Sequence, residues 1–170
     1  SKMKLLSSKI NVLKIFYNHL STFGDVQKGN KFCDYLTFYI LPIVLASVYG
    51  LMRHKFGFSG IPERGWNATI TINSILIPLT LSMLAVVMGM KAKSNKRASK
   101  LIKELVYNIS YEVLVSIVYL ILALGAIVLD AQHSACLSEL YVFFAIHLFL
   151  TLSMIVKRFY IISDYILCET

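Results

Sequence analysis

The sequence predicts an all-α polytopic membrane protein, with four transmembrane helices, an N-terminal amphipathic helix and both chain ends on one side of the bilayer. Three observations carry this. The chain has 170 residues, of which 57% are hydrophobic and only 15% charged, whereas soluble domains carry roughly a quarter charged residues. Its apolar residues fall into four runs, each able to cross a hydrocarbon core of about 30 Å at about 1.5 Å rise per residue. Its 17 Lys and Arg lie outside those runs apart from boundary positions, giving a net charge of +8.

Residues 1–30 read as a cytoplasmic segment. Leu6, Ile10, Leu13, Tyr17 and Leu20 recur four and three apart, with lysines such as Lys9 and Lys14 around the other arc. That period makes an amphipathic helix, lying in the inner leaflet's head groups or docking a partner. No continuous apolar core or small-residue cleavage site follows the lysines, so a signal peptide is not expected. Gly24 and Gly29 then allow a turn.

Residues 31–170 form the membrane domain, with crossings at about 35–52, 66–90, 107–129 and 140–156. The first two runs hold no charge, and their Pro42 and Pro78 should kink the helix or free carbonyls for a neighbour. The third reaches full length only by borrowing residues before Glu112. The fourth stops at Lys157 and Arg158. None alternates with period two, and backbone polar groups in lipid must be satisfied within the segment, so each run is a helix. The polar stripe of a soluble bundle is missing from all four. Ser82, Ala85 and Gly89 in the second run, and Ala123 with Ala126 in the third, offer small surfaces for close helix contact.

The connector 91–104 is a basic loop, with Lys91, Lys93, Lys96, Arg97, Lys100 and Lys103 against Glu104 alone. Four crossings place it beside both termini, leaving Arg53, Lys55 and Arg64 as the cations of the opposite side. The positive-inside rule makes the richer side cytoplasmic. Lys93, Lys96, Arg97 and Lys100 recur at three- and four-residue spacing, which lines them along one face if the third helix starts near Ser94. With Lys103, Lys9 and Lys14 they are the candidate contacts for anionic lipid head groups or an acidic cytoplasmic partner. No aromatic residue interleaves with them, so direct nucleic-acid binding is not expected.

Asn73 and His147 fall inside crossings, where facing lipid would cost a few kcal/mol. Both should point into the bundle, as interhelical hydrogen bonds or as pore-lining groups. No acidic residue stands at the depth of His147, and Glu112 belongs at the inner boundary within reach of Lys103. His19, His54, His133 and His147 are scattered, as are Cys33, Cys136 and Cys168. There is no phosphate loop, paired-carboxylate site or metal spacing, so no enzyme, cofactor or metal is expected, and no intrachain disulfide.

"YILPIVLASVYGLMRHKFG", then "ILIPLTLSMLAVVMGMKAKSNKRASKLIKE", then "IHLFLTLSMIVKRFYII" resembles the order of features in small four-helix membrane proteins of bacterial antiphage defence. In the phage lambda exclusion membrane protein RexB, a first crossing closes on a basic pair, a second runs into a basic cytoplasmic helix, and a last carries an isoleucine–histidine step. The N-terminal extension fits better the membrane subunit of the Kiwa system, KwaA. The resemblance implies an inner-membrane component, homo-oligomeric and tetrameric in the simplest case, that senses membrane disturbance on infection and signals to a cytoplasmic, DNA-binding partner. The alternative it implies is an oligomeric ion channel that depolarises the membrane.

Overall fold

The computed structural model describes residues 12–24, 30–57, 60–90, 96–131 and 133–168, with 96–97 and 165–168 described as backbone alone. Every regular element among them is helical: α1 (Val12–Ser21), α2 (Lys31–Tyr35), a π turn (Leu36–Ile40), α3 (Leu41–Phe56), α4 (Glu63–Gly89), α5 (Lys96–Val128) and α6 (Ala135–Cys168). The α2, π and α3 segments run on as one rod. Four stretches are long and apolar enough to cross a membrane: Lys31–Phe56, Glu63–Gly89, Ala98–Val128 and Ala135–Asp164, with 26, 27, 31 and 30 residues. At about 1.5 Å per residue the shortest is roughly 39 Å long, more than the hydrocarbon needs.

Local chemistry sets the ends. Asn30 caps α2 by accepting from the Phe32 N–H, and Asp34 in the first turn also accepts from the Gly24 N–H at 2.8 Å. Within the rod the Leu41 N–H reaches back to the Leu36 carbonyl, five residues away, and Pro42 follows directly. Gly57 ends α3 with φ of 67° while its N–H bonds the Arg53 carbonyl, a left-handed conformation that favours glycine. Helix α4 passes through Pro78 unbroken. Its hydroxyls bond their own backbone four residues earlier, Thr71 to Asn67, Ser74 to Ile70, Thr80 to Leu76 and Ser82 to Pro78. Such back-bonding satisfies a hydroxyl in lipid without a partner helix.

Two expected boundaries are corrected. The segment expected as a basic loop over 91–104 is helical from Lys96, so Lys96, Arg97, Lys100 and Lys103 belong to the first two turns of α5. The last helix begins at Ala135 and continues past Lys157 and Arg158 to Cys168. Apolar runs mark where hydrocarbon ends; lysine, arginine and glutamate are good helix formers, so the helices do not end there.

The helices lie in the order α3, α6, α5, α4, and α1 rests on α5 at the end of the bundle marked by Glu104 and Arg158. Consecutive α3 and α4 are not neighbours. Helix α5 is therefore the central element, packed by α4, α6 and α1. Val87, Leu101, Leu105, Ile109, Ile155 and Ile162 form one core near the termini, and Trp66 over Ala123 and Ala126 forms another at the opposite end. Ala123 and Ala126 thus supply the close contact expected of them. Ser82, Ala85 and Gly89 are exposed. Large apolar residues such as Leu51, Ile75 and Phe149 also face outward, as in a multi-pass membrane protein whose solvent is lipid.

Candidate functional site

Glu104, Asn108, Glu112 and Ser116 follow one another at four-residue spacing, which places them on one face of α5. All four are buried, Glu104 at 8% exposure and the other three at 0%. Each rung but the last has a named partner. Arg158 of α6 donates to the Glu104 carboxylate at 3.1 Å and, through Nη2, to the Thr22 carbonyl at 2.8 Å. The Asn108 amide oxygen accepts from Thr22 Oγ1 and from His19 Nδ1, both at 2.9 Å. Thr151 of α6 donates a short hydrogen bond to Oε2 of Glu112.

A second chain of hydrogen bonds crosses this ladder. His147 Nδ1 lies 2.7 Å from the Phe38 carbonyl, which can only accept, so Nδ1 carries the proton. The other nitrogen, Nε2, then accepts from the Tyr111 hydroxyl at 2.9 Å, and the Tyr39 hydroxyl stands 3.3 Å from that of Tyr111. The chain therefore runs Tyr39, Tyr111, His147, Phe38. Phe38 has a carbonyl to offer because Pro42, four residues on, lacks the N–H that a regular helix would aim at it. A freed carbonyl for a neighbour is the expected consequence of Pro42, and His147 takes it.

His19 joins α1 to both systems. Its ring stacks on Tyr111 with centroids 3.8 Å apart and 7° between planes. Burial lowers its pKa to about 4 against the usual 6.5, outweighing the bond to Asn108, so it stays neutral. At the opposite end of the bundle Thr69 Oγ1 lies 3.1 Å and 3.3 Å from the hydroxyls of Tyr141 and Tyr119. There Tyr141 also donates to the Gly65 carbonyl, and Trp66 donates to Ile61.

Some expected residues converge and others do not. His147 and Asn73 point inward as anticipated; Asn73 donates to the Thr69 carbonyl at 2.9 Å. Glu112 is corrected: it is enclosed between α5 and α6 with Thr151, not at a boundary beside Lys103. Lys103 is exposed, with its ammonium 5.8 Å from the Tyr107 ring. The expectation that no acid shares the depth of His147 is corrected too, since Thr151, one turn along α6, binds Glu112. Lys14 and Lys100 are exposed. Lys9 and Lys93 lie outside the described residues, and Lys96 and Arg97 are placed as backbone only.

Sequence reasoning missed His19, Thr22, Asn108, Tyr111, Ser116, Thr151 and Arg158. The signal was present for part of them, since 104, 108, 112 and 116 share a helical face and all are polar. Cys33 and Cys136 are free and exposed. No three His, Cys, Asp or Glu gather as a metal site among the described residues.

Several enclosed polar atoms meet no hydrogen-bond partner among the described residues: His19 Nε2, Asn108 Nδ2, Glu112 Oε1, Ser116 Oγ and Asn73 Oδ1. Each costs about 1–3 kcal/mol in this arrangement. No family model, curated protein or solved structure matches this chain.

Proposed function

We propose that this chain is a non-enzymatic membrane sensor, in which α1 couples the head-group layer to the buried ladder between α5 and α6. One observation carries the reading. Helix α1 turns Leu13 and Tyr17 outward, 71% and 76% exposed, while His19 and Thr22 beside them are fully enclosed against Asn108 and Arg158. A helix with an apolar outer face and a plugged inner edge responds to lateral disturbance of the lipid around it. Withdrawal of that edge unmakes the bonds at Asn108 and the Arg158 bond to Thr22 together. The two arrangements then differ in lipid-exposed area, which is what a bilayer can act on.

The excess of cations at the end shared by the termini supports a cytoplasmic location for α1 and for the start of α5. Lys96, Arg97, Lys100 and Lys103 there suit an acidic partner or anionic lipid, through which the change would pass on. The resemblance to defence membrane subunits supplies the setting, phage infection at a bacterial inner membrane. Ion conduction is the less favoured reading: Asn73 and His147 are buried within a single chain, so a pore they line has to run through one protomer.

Phage challenge of cells carrying Leu13→Asp with Tyr17→Asp tests the proposal. Loss of protection with normal membrane insertion is the expected outcome; full protection by this variant contradicts it.

A further inference from the structure

We infer that Glu112, with Ser116 and Asn73, forms a site for one monovalent cation, a proton or Na⁺, in the interior shared by α4, α5 and α6. The inference goes beyond the sensing role and does not depend on it. Oε2 of Glu112 is taken by Thr151, while Oε1, Ser116 Oγ and Asn73 Oδ1 meet no hydrogen-bond partner among the described residues. Their residues are 0%, 0% and 1% exposed.

Helix register brings the three to neighbouring levels. The pairing of Thr69 with Tyr119, and of Val87 with Leu101 in one core, fixes α4 antiparallel to α5. One turn on from Thr69 is Asn73; about one turn back from Tyr119 is Ser116, and one further is Glu112. Helix α4 packs on α5, so a buried Asn73 faces it.

The chemistry selects the ligand. All three atoms are oxygens, which suit hard cations over transition metals. A single carboxylate balances one positive charge, and a divalent ion would leave an excess charge in a low-dielectric interior. The titratable groups buried on the adjoining elements are otherwise accounted for among the described residues. Arg158 of α6 is matched by Glu104 of α5, both nitrogens of His147 are engaged, and His19 of α1 is neutral. Tyr39 of the first crossing and Tyr111 of α5 bond each other, and α4 brings no titratable group between Trp66 and Gly89.

The test uses the full chain in liposomes and dicyclohexylcarbodiimide, which enters bilayers and modifies protonated carboxyls, read by mass spectrometry at Glu112. Modification that falls as pH rises in choline chloride is expected. Where Na⁺ is the ligand, NaCl at ten times its dissociation constant slows modification about tenfold by mass action, and Ser116→Ala or Asn73→Ala weakens that protection. Equal rates in NaCl and choline chloride assign the site to the proton. Thermal unfolding of wild type and Glu112→Gln, whose amide imitates the neutral acid, gives a second readout: the wild-type midpoint responds to pH or Na⁺ and that of the variant does not. Absence of Glu112 modification at every pH, together with identical pH and Na⁺ responses of the two proteins, overturns the assignment.

Discussion

At the end of the bundle where Trp66 sits, the indole N–H and the hydroxyls of Thr69, Tyr119 and Tyr141 each find a partner, and small Ala123 and Ala126 let the helices close. Toward the end that α1 contacts, the same helices enclose an ion pair, a carboxylate, an amide and a histidine, and four of the unpartnered polar atoms lie on His19, Asn108, Glu112 and Ser116. The four groups named at the first end are satisfied, although Asn73 Oδ1, one turn from Thr69, is not; the second end holds four unsatisfied atoms, and a partly satisfied network specifies its arrangement less strictly. Under the proposed sensing role, the end that α1 contacts through Asn108 and Arg158 is the one that it biases.

The largest effects should come from breaking each region at its centre. Trp66→Ala removes a fully buried aromatic and should lower stability by roughly 3–5 kcal/mol in denaturant titrations in detergent. Arg158→Ala should cost a similar roughly 3–5 kcal/mol, because it takes the cation from an enclosed carboxylate. The comparison sharpens in a second measurement: only Arg158→Ala should raise amide exchange across 12–24, since Arg158 also holds the Thr22 carbonyl. Equal exchange in both variants would erase the distinction between the two ends.

Asn108→Ala comes next. It removes the acceptor shared by Thr22 and His19 and should cost about 1–3 kcal/mol, with α1 again the segment that loosens. Acidification should act on the same joint. His19 has a folded pKa of about 4 against 6.5 when undocked, so the undocked helix binds more protons between those values. Docking is then at full strength above pH 6.5 and weakens as pH falls toward 4. Amide exchange corrected for its intrinsic pH dependence should show this in wild type and not in His19→Gln. The smallest effect on stability, within about 0.5 kcal/mol, belongs to reversing Lys93, Lys96, Arg97 and Lys100 to Glu. That variant should nevertheless lose flotation with anionic vesicles or co-purification with an acidic partner.

The sequence made the four crossings legible because lipid imposes one rule on every residue of a spanning segment, and a run of about 18 or more apolar side chains fits little besides a crossing. It also showed that Asn73 and His147 must turn inward, and that Pro42 would free a carbonyl. It raised a start of α5 near Ser94 only as the condition for a basic stripe, and it did not show that α6 outlasts Arg158, because hydropathy reports the hydrocarbon boundary and is silent about helices that continue into polar surroundings. An interface is the expected place for Glu112 because a carboxylate in hydrocarbon is costly. Thr151, thirty-nine residues later, is the local reason it is enclosed, and no spacing rule joins the two. Glu104, Asn108, Glu112 and Ser116 were readable as a helical stripe. Their partners on α1 and α6 depend on which helices adjoin, and the order α3, α6, α5, α4 is not written in any single run.

The central claim is that α1 exchanges between a docked and a withdrawn position as the bilayer around it changes. Spin labels at Tyr17→Cys and Ile121→Cys, in a background with Cys33, Cys136 and Cys168 replaced by Ser, report the distance between α1 and the far half of α5. In relaxed liposomes the account gives one dominant distance. Thinner lipids or added lysolipid should raise a second, displaced population, and Asn108→Ala should raise it without any change of lipid. A single distance that survives every bilayer and the Asn108 variant would contradict the account.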